Sequence, residues 1–270
     1  MTIAEWLQSA TNALTDCNIP SARLDAQILC AHVHGQSRSW LITHEADKIT
    51  ESKLKTLQTA LDKRVSRIPL AYITHNKEFF GHDLYVDERV LCPRAETEAA
   101  VEQIIKLAPK NATVLDIGTG SGAIAIALKA AREDLIVTGS EVSIEALEVA
   151  RQNTEKILGE NKIEFIESNL FANIHDSYDV VVANLPYVST EADLLPEVQN
   201  EPHVALFGGG NDALELYRKF FTELPEHLNN SAIVFTESDP WQQAGLIKLA
   251  EAANLHKIYE DYFILGFAKN

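Results

Sequence analysis

Three glycines, Gly118, Gly120 and Gly122, form the most informative cluster in this chain of 270 residues. They follow the apolar run VLDI and precede AIAIALKAA, which favours a helix, so they occupy a strand-to-helix turn. Glycine lets the backbone turn tightly and approach a ligand, and the following helix offers free N–H groups. Thr119 and Ser121 lie between the glycines and share the turn. The pattern predicts a binding site for a nucleotide-like cofactor.

The identity of that cofactor depends on Asp116. The spacing Gly118-x-Gly120-x-x-Ala123 also fits the dinucleotide fingerprint, so the glycines alone leave both NAD and S-adenosylmethionine open. A carboxylate two residues before the first glycine can organise the turn and attract the methionine ammonium of S-adenosylmethionine. NAD fingerprints usually have an apolar residue there. Asp116 therefore favours S-adenosylmethionine.

Further cofactor contacts are expected where the next two predicted strands end. Glu141 can accept hydrogen bonds from both ribose hydroxyls, because a carboxylate takes two donors side by side. A solvated helix-cap carboxylate is the alternative interpretation of this residue. Asn169 and Leu170, in the segment ESNLF, are expected to border the adenine. A simple core position is the alternative for Leu170.

The tetrapeptide Asn184-Leu185-Pro186-Tyr187 follows the fourth predicted strand. An amide nitrogen is a poor nucleophile unless its lone pair is aimed at the carbon it attacks. The Asn184 side-chain oxygen and the Leu185 carbonyl could accept the two N–H bonds of such an amide, and positioning of this kind lowers a barrier by several kcal/mol. Pro186 stiffens the turn and Tyr187 can stack on the planar amide. These four are the candidate catalytic residues, Asn184 is also a candidate cofactor contact, and a plain strand-ending turn is the alternative.

An alternation of strand and helix patterns from residue 97 onward must position these turns. Helical patterns cover 143–158 and 239–253, and such alternation specifies a mostly parallel sheet with helices on both faces. The predicted strands are 113–117, 135–139, 163–167, 178–183, 231–236 and 262–267.

The first 70 residues carry helical periodicity instead. Apolar residues mark three amphipathic faces, with Ser21 and Thr50 at N-cap positions and Pro69 closing the last helix. The following segment EFFGHDLYV reads as two short strands around Gly81 that pair as a hairpin between the domains. We predict a helical domain at 1–72, a hairpin linker at 73–95 and a cofactor-binding domain at 96–270.

Composition narrows the classes of partner. A formal net charge of −16 disfavours nucleic-acid substrates, because phosphate contacts come mainly from Lys and Arg. The cysteines Cys17, Cys30 and Cys92 lie far apart, without the spacing of a zinc site, so no metal is expected. The first residues lack a signal-peptide pattern, and no apolar run approaches the roughly 20 residues of a membrane span. A cytoplasmic protein without membrane contact is expected.

Five segments in order resemble the peptide chain release factor glutamine N5-methyltransferases. The segment with Pro93-Arg94-x-Glu96-Thr97-Glu98 discriminates best, because generic methyltransferases lack it. The matching segments are SARLDAQILCAHV at 21–33, RIPLAYITHNKEFFGHDLYVDERVLCPRAETE at 67–98, VLDIGTGSGAIAIAL at 114–128, YDVVVANLPYV at 178–188 and EVQNEPHVALFGGGNDALELYR at 197–218.

The resemblance implies a seven-stranded, Rossmann-like class I methyltransferase sheet with a small N-terminal helical domain for substrate recognition. It implies methyl transfer from S-adenosylmethionine, leaving S-adenosylhomocysteine, to the glutamine of a release factor's Gly-Gly-Gln loop. The partner is then a release factor, and a monomer is expected. Leu185 stands where the family has proline, and Glu141 and Asn169 replace aspartates. The acidic side chains of Glu191, Asp193 and Glu197 could offer a rim to a basic partner.

Two other functions remain open at this level. Asn-Leu-Pro-Tyr is also the form found in ribosomal RNA adenine N6-methyltransferases, which usually carry glutamate in place of Asp116 and a basic C-terminal domain. This chain is acidic, and no such domain is expected in it. A catalytically silent protein that uses the cofactor fold to hold a partner is the second alternative.

Overall fold

A computed structural model of the chain describes residues 1–160 and 162–269, so the limit 270 of the predicted second domain lies outside them. The chain divides into two compact units. The first comprises Met1–His75 and Leu195–Asn200, and the second Asn76–Leu194 and Glu201–Asn270. No helix among the described residues is long and apolar enough to cross a membrane.

The first unit is helical, with buried apolar faces forming its core. Thr2 closes a capping box with Glu5, and the Thr50 hydroxyl accepts the Lys53 N–H, as the sequence predicts for Thr50. Ser21 occupies an N-cap position without a side-chain cap hydrogen bond. The helices are α1 (Ile3–Asp16), α2 (Ala22–His34), α3 (Arg38–Thr43), α4 (Glu51–Val65) and α5 (Leu70–Thr74).

Leu195–Asn200 belongs to this unit because ion pairs tie it to α4. Arg64, which is 5% exposed, donates to Asp25 at 2.7 Å and to Glu197 at 2.9 Å. Arg67 donates to the same Glu197 oxygen at 3.0 Å. The Glu197 carboxylate is thus paired within the chain, and the acidic rim expected from the sequence loses one of its three members.

The second unit begins with the predicted hairpin, formed by β1 (Lys77–Phe79) and β2 (His82–Leu84). Its turn residues are Phe80 and Gly81, with φ of 50° and 77°. Two consecutive residues at positive φ suit the right-handed twist of a two-residue hairpin. The turn therefore contains Gly81, as the sequence predicts.

A seven-stranded, mostly parallel sheet is the centre of the second unit, which confirms the predicted fold class. The strands are β3 (Thr113–Ile117), β4 (Ile136–Glu141), β5 (Glu164–Glu167), β6 (Tyr178–Ala183), β7 (Leu228–Glu237), β8 (Leu255–Glu260) and β9 (Ile264–Lys269). Their order in the sheet is β5-β4-β3-β6-β7-β9-β8, and the pairs of β9 with β7 and β8 are antiparallel. Long apolar runs form the central strands, as expected where both sheet faces are covered.

Helices cover both faces of this sheet. Successive side chains of a strand face opposite ways, so Leu115 and Ile117 enter one apolar cluster and Val114 the other. The first cluster packs against α9 (Glu215–Glu223) and α10 (Gln243–Ala252). The second packs against α6 (Glu98–Leu107), α7 (Ala123–Ala131) and α8 (Ile144–Leu158). Two cores thus hold the strand ends in fixed register.

Candidate functional site

The site lies where the central strands end. Ile117, the last residue of β3, pairs with Ser140 of β4 on one side and Ala183 of β6 on the other. The chain passes from β3 to β4 and β5 and then returns to β6 on the opposite side of β3. Ligands in open parallel sheets bind beyond the carboxyl ends at this kind of switch point. The glycine turn and the Asn184 turn both start there.

The glycine turn has the backbone that its composition predicts. Gly118, Gly120 and Gly122 adopt φ of 71°, 54° and 81°, a region unfavourable for other residues. The Ser140 carbonyl accepts the N–H groups of Gly118 and Thr119, which anchors the turn to β4. Gly122 is the N-cap of α7, so the start of that helix points toward the strand ends.

Asp116 lies beneath the turn and is fully buried. Its Oδ2 accepts the Thr119 hydroxyl at 2.6 Å and the Ala125 N–H at 3.2 Å. Burial raises the pKa of this carboxyl to about 7, despite those two hydrogen bonds. Its Oδ1 has no hydrogen-bond partner among the described residues. Asp116 therefore organises the turn from below, and its second oxygen is buried there.

Glu141 is the last residue of β4, and its carboxylate accepts hydrogen bonds from the glycine turn and from the loop that follows β4. Its Oε1 accepts the N–H groups of Val142 and Ser143 at 2.8 and 3.1 Å, and its Oε2 accepts the Gly120 N–H at 3.1 Å. Each carboxylate oxygen can take more than one donor, so these bonds leave room for hydroxyl donors from a ligand. The carboxylate is held in a fixed orientation next to the glycine turn.

A cavity of about 280 Å³ opens at the strand ends. The predicted residues that line it are Gly118, Gly120, Glu141, Asn169, Leu170, Asn184, Leu185 and Pro186. Thr119 and Ser121 line a smaller adjoining hollow, which also contains Thr97 and Asn184. Asp116, Gly122 and Tyr187 line neither space. The structure thus gathers most of the predicted positions at one place.

The residues present fit S-adenosylmethionine. The apolar side chains of Leu170, Leu185 and Val142 offer a surface for a flat base, and Glu141 supplies acceptors for hydroxyl groups. Asp116 lines neither space, but its carboxyl lies directly beneath the glycine turn, where a negative charge favours a positively charged ammonium. One wall is therefore apolar and the acceptors cluster near the glycine turn, as a ligand with a base, a ribose and a cationic end requires.

The Asn184 turn is held by hydrogen bonds on both sides. The Asn184 Nδ2 donates to Thr97 Oγ1 at 3.2 Å, and the Leu185 N–H donates to the Tyr217 hydroxyl at 3.3 Å. A proline at position 185 would keep the carbonyl and lose the second of these bonds. The Tyr187 hydroxyl donates to Glu237 Oε1 at 3.0 Å, and burial raises its pKa. The turn is thus rigid at the edge of the cavity.

Several residues at the site were not among the predicted set, and three of them belong to the hydrogen-bond network around the Asn184 turn: Thr97, Tyr217 and Glu237. Ala183 of β6 pairs with Thr236 of β7, so Glu237 is the neighbour of Asn184 across the sheet. The Tyr217 hydroxyl donates to the Glu237 carbonyl at 2.6 Å. Thr97 lies in the discriminating Pro-Arg-x-Glu-Thr-Glu segment, so the resemblance could have marked it as a candidate site residue. Nothing in the sequence predicts its hydrogen bonds with Glu237 and Asn184.

The segment that carries Thr97 is itself anchored. Glu201, 4% exposed, accepts the Cys92 N–H at 3.0 Å and the Arg94 guanidinium at 2.6 Å. Burial opposes the charge of Arg94, yet the Glu201 carboxylate keeps the pKa of that guanidinium above its ordinary value. These bonds fix the backbone before Thr97, so the Thr97 side chain has a fixed position at the strand ends.

Gly208 supports the turn from the opposite side, and Gly208→Ala should disrupt it. A Cβ there would lie 2.6 Å from the Pro186 carbonyl oxygen and would overlap the Ala213 backbone. Backbone atoms cannot yield as a side chain can, so we expect a loss of about 3 kcal/mol in unfolding free energy. Urea denaturation measures it. Gly245→Ala is the control, since its Cβ would meet only the movable Leu214 side chain; equal losses in both variants would contradict the account.

Two sequence families match the chain. The family described as "PrmC N-terminal domain" matches residues 5–74, and the family described as "Methyltransferase small domain" matches residues 95–229. The first match covers the helical region and the second covers β3 to the start of β7. Both the helical region and most of the sheet thus have counterparts in known families.

Three relatives that share one name match most of the chain. A "Release factor glutamine methyltransferase" from Leptospira interrogans is 40% identical, over 76% of this chain and 75% of the relative. The protein of that name from Deinococcus radiodurans is 33% identical, over 89% and 87%. The one from Lactococcus lactis is 36% identical, over 86% and 85%.

A solved structure supports the fold alone. A methyltransferase from Pyrococcus furiosus superposes with a TM-score of 0.54 at 16% identity, over 82% of this chain and 100% of that one. Identity at this level carries no information about substrate. The fold is that of a known methyltransferase.

Proposed function

Because this chain belongs to the release factor glutamine methyltransferase family, we propose that it methylates the side-chain nitrogen N5 of the glutamine in a release factor's Gly-Gly-Gln loop. The observation that carries the proposal is the rigid Asn184 turn at the edge of the cavity. Methyl transfer needs no metal and no covalent enzyme intermediate here. The chain's task is to bind, orient and exclude water.

S-adenosylmethionine is the methyl donor, as the methyltransferase domain requires. When bound, S-adenosylmethionine would supply a methyl group on a positively charged sulfur. The new nitrogen–carbon bond would replace the carbon–sulfur bond, leaving neutral S-adenosylhomocysteine, and the proton displaced from nitrogen would pass to solvent. Glu141 is proposed to accept the ribose hydroxyls. Asp116 is proposed to favour the cationic methionine end through its negative charge beneath the glycine turn.

Asn184 and Leu185 are proposed to orient the target amide. The Asn184 side chain donates through Nδ2 to Thr97, which leaves Oδ1 to accept one N–H of the glutamine. The Leu185 carbonyl accepts the other, and holding the nitrogen at two points aims its lone pair. Pro186 lines the cavity and is proposed to shield the amide from water, whereas Tyr187 lines neither space and is proposed to stiffen the turn through its bond to Glu237.

The substrate is proposed to be a protein and not RNA. The match to the PrmC N-terminal domain and the relatives' shared name favour a release factor over adenine in ribosomal RNA. The net charge of −16 opposes a phosphate backbone. A short loop offers little area for specific binding, so the helical unit is proposed to hold the body of the release factor. We place the reaction in the cytoplasm and expect a monomer.

A transfer experiment tests this proposal. S-adenosylmethionine with a tritiated methyl group is incubated with the protein and either a purified release factor or deproteinised ribosomal RNA. Label in the release factor is the expected result. Label in the RNA would transfer the assignment to the adenine methyltransferases, and label in neither, with cofactor binding intact, would favour a silent binding protein.

Glu141→Ala should weaken the binding of S-adenosylmethionine. The variant removes the proposed ribose acceptor and the bond that fixes Gly120, so we expect a loss of about 1 to 3 kcal/mol in binding free energy. Isothermal titration calorimetry measures the change. Glu133→Ala removes an exposed glutamate on another loop and should bind normally. Unchanged affinity in Glu141→Ala would exclude Glu141 from the site.

A further inference from the structure

A buried carboxylate, Glu237, lies behind the Asn184 turn without a role in the chemistry described above. It is 3% exposed and accepts two hydroxyl groups: Thr97 at Oε2 (2.6 Å) and Tyr187 at Oε1 (3.0 Å). Thr97 in turn accepts the Asn184 Nδ2 at 3.2 Å. One carboxylate is therefore connected to both Asn184 and Tyr187.

The donors and acceptors of this chain allow one orientation of Asn184. A threonine hydroxyl has a single proton, and Thr97 gives it to Glu237, so Thr97 Oγ1 can offer only lone pairs to Asn184. The Asn184 amide must then present Nδ2 to Thr97. If the amide were flipped, Oδ1 would face another acceptor and Nδ2 would face the N–H of the incoming glutamine. The hydroxyl thus selects the orientation in which Oδ1 can accept from the substrate.

The cost of burying Glu237 indicates that the arrangement has a use beyond stability. Burial raises the pKa of this carboxyl, while the hydrogen bonds from Thr97 and Tyr187 and the nearby Asn184 amide favour its charged form. Replacing a buried ionic group by apolar residues of similar volume is often neutral or stabilising. A fully apolar contact between β7 and the Asn184 turn could therefore hold the fold equally well, but it could not select an amide orientation.

We propose that Glu237 and Thr97 are positioning residues that set the amide orientation of Asn184 and hold the Tyr187 ring. The inference rests on the proposed glutamine methylation. Glu237 accepts hydrogen bonds from the hydroxyl groups of Thr97 and Tyr187, so the Thr97 oxygen can act only as an acceptor toward Asn184. Neither Glu237 nor Thr97 touches the reacting atoms. Their loss lowers the turnover number and leaves cofactor affinity in place.

The test compares Thr97→Val with Thr97→Ser. Valine keeps the shape of threonine and removes the hydroxyl, whereas serine keeps the hydroxyl. For release factor methylation we expect kcat to fall about 10- to 100-fold in Thr97→Val, the scale for losing a hydrogen bond to a charged group. Thr97→Ser should recover kcat to within about threefold of wild type. Both variants should keep the wild-type Kd for S-adenosylmethionine in calorimetry.

Glu237→Gln supplies a second measurement, with circular dichroism and cofactor titration as checks on folding. Its amide places a donor against one of the two hydroxyl groups, so kcat should fall here as well. A Thr97→Val enzyme with wild-type kcat would overturn the inference, as would equal loss in Thr97→Ser and Thr97→Val. A wild-type enzyme that does not methylate the release factor would instead overturn the proposed function.

Discussion

Asn184→Ala is expected to abolish measurable methylation while leaving S-adenosylmethionine affinity nearly unchanged. The variant removes the side-chain oxygen proposed to accept the target N–H, and loss of such positioning costs at least about 100-fold in rate. The cofactor contacts proposed above come mainly from other strand ends, those of β3, β4 and β5. Single-turnover methylation of a release factor and calorimetric titration of the cofactor measure the two quantities separately.

Asn12→Ala is the matched control for this variant, because it truncates an exposed asparagine in the helical unit. It should retain wild-type values of both rate and affinity. An Asn184→Ala enzyme with substantial turnover, or with cofactor affinity reduced as much as its rate, would contradict the division of roles between Asn184 and the glycine turn.

Asp25→Ala should destabilise the helical unit by about 3 kcal/mol, the lower end of the cost of breaking a buried ion pair. Asp25 and Arg64 are both buried and pair at 2.7 Å, so the variant leaves a buried guanidinium with Glu197 as its remaining carboxylate partner. Because the Arg64–Glu197 ion pair remains in the variant, we expect the lower end of that range. The result would be a lower urea midpoint for the helical unit.

Tryptophan fluorescence can report this unit selectively. Trp6 and Trp40 belong to the helical unit, and Trp241→Phe removes the remaining tryptophan. In that background, Asp62→Ala serves as the control, since Asp62 is exposed on α4 and its loss should change stability by less than about 0.5 kcal/mol. Equal midpoints for the Asp25 and Asp62 variants would show that the buried pair contributes little.

The sheet was predictable to the extent that its strands are buried. The predicted spans 113–117 and 178–183 coincide with β3 and β6, whose apolar runs are continuous because both faces are covered. The edge strand β8 was missed. Its residues Leu255–Glu260 include exposed His256 and Lys257, and an edge strand with charged side chains lacks the pattern that marks a buried strand.

The site was predictable where local sequence determines local geometry. Positive φ at Gly118 follows from residue type, and the placement of Glu141 and Asn184 follows from the rule for parallel strand ends. Contacts over long sequence distances were not predictable. Thr97 and Glu237 lie 140 residues apart, and Glu197 pairs with arginines about 130 residues away, so no local sequence pattern predicts either contact.

The measurement that tests the central claim most directly is tandem mass spectrometry of a release factor after incubation with this protein and S-adenosylmethionine. The account predicts a single added methyl group on the Gly-Gly-Gln peptide, with fragment ions that place it on the glutamine side chain. It also predicts no such modification when Asn184→Ala replaces the wild-type protein. An unmodified Gly-Gly-Gln peptide alongside methylated adenine in ribosomal RNA would contradict the account.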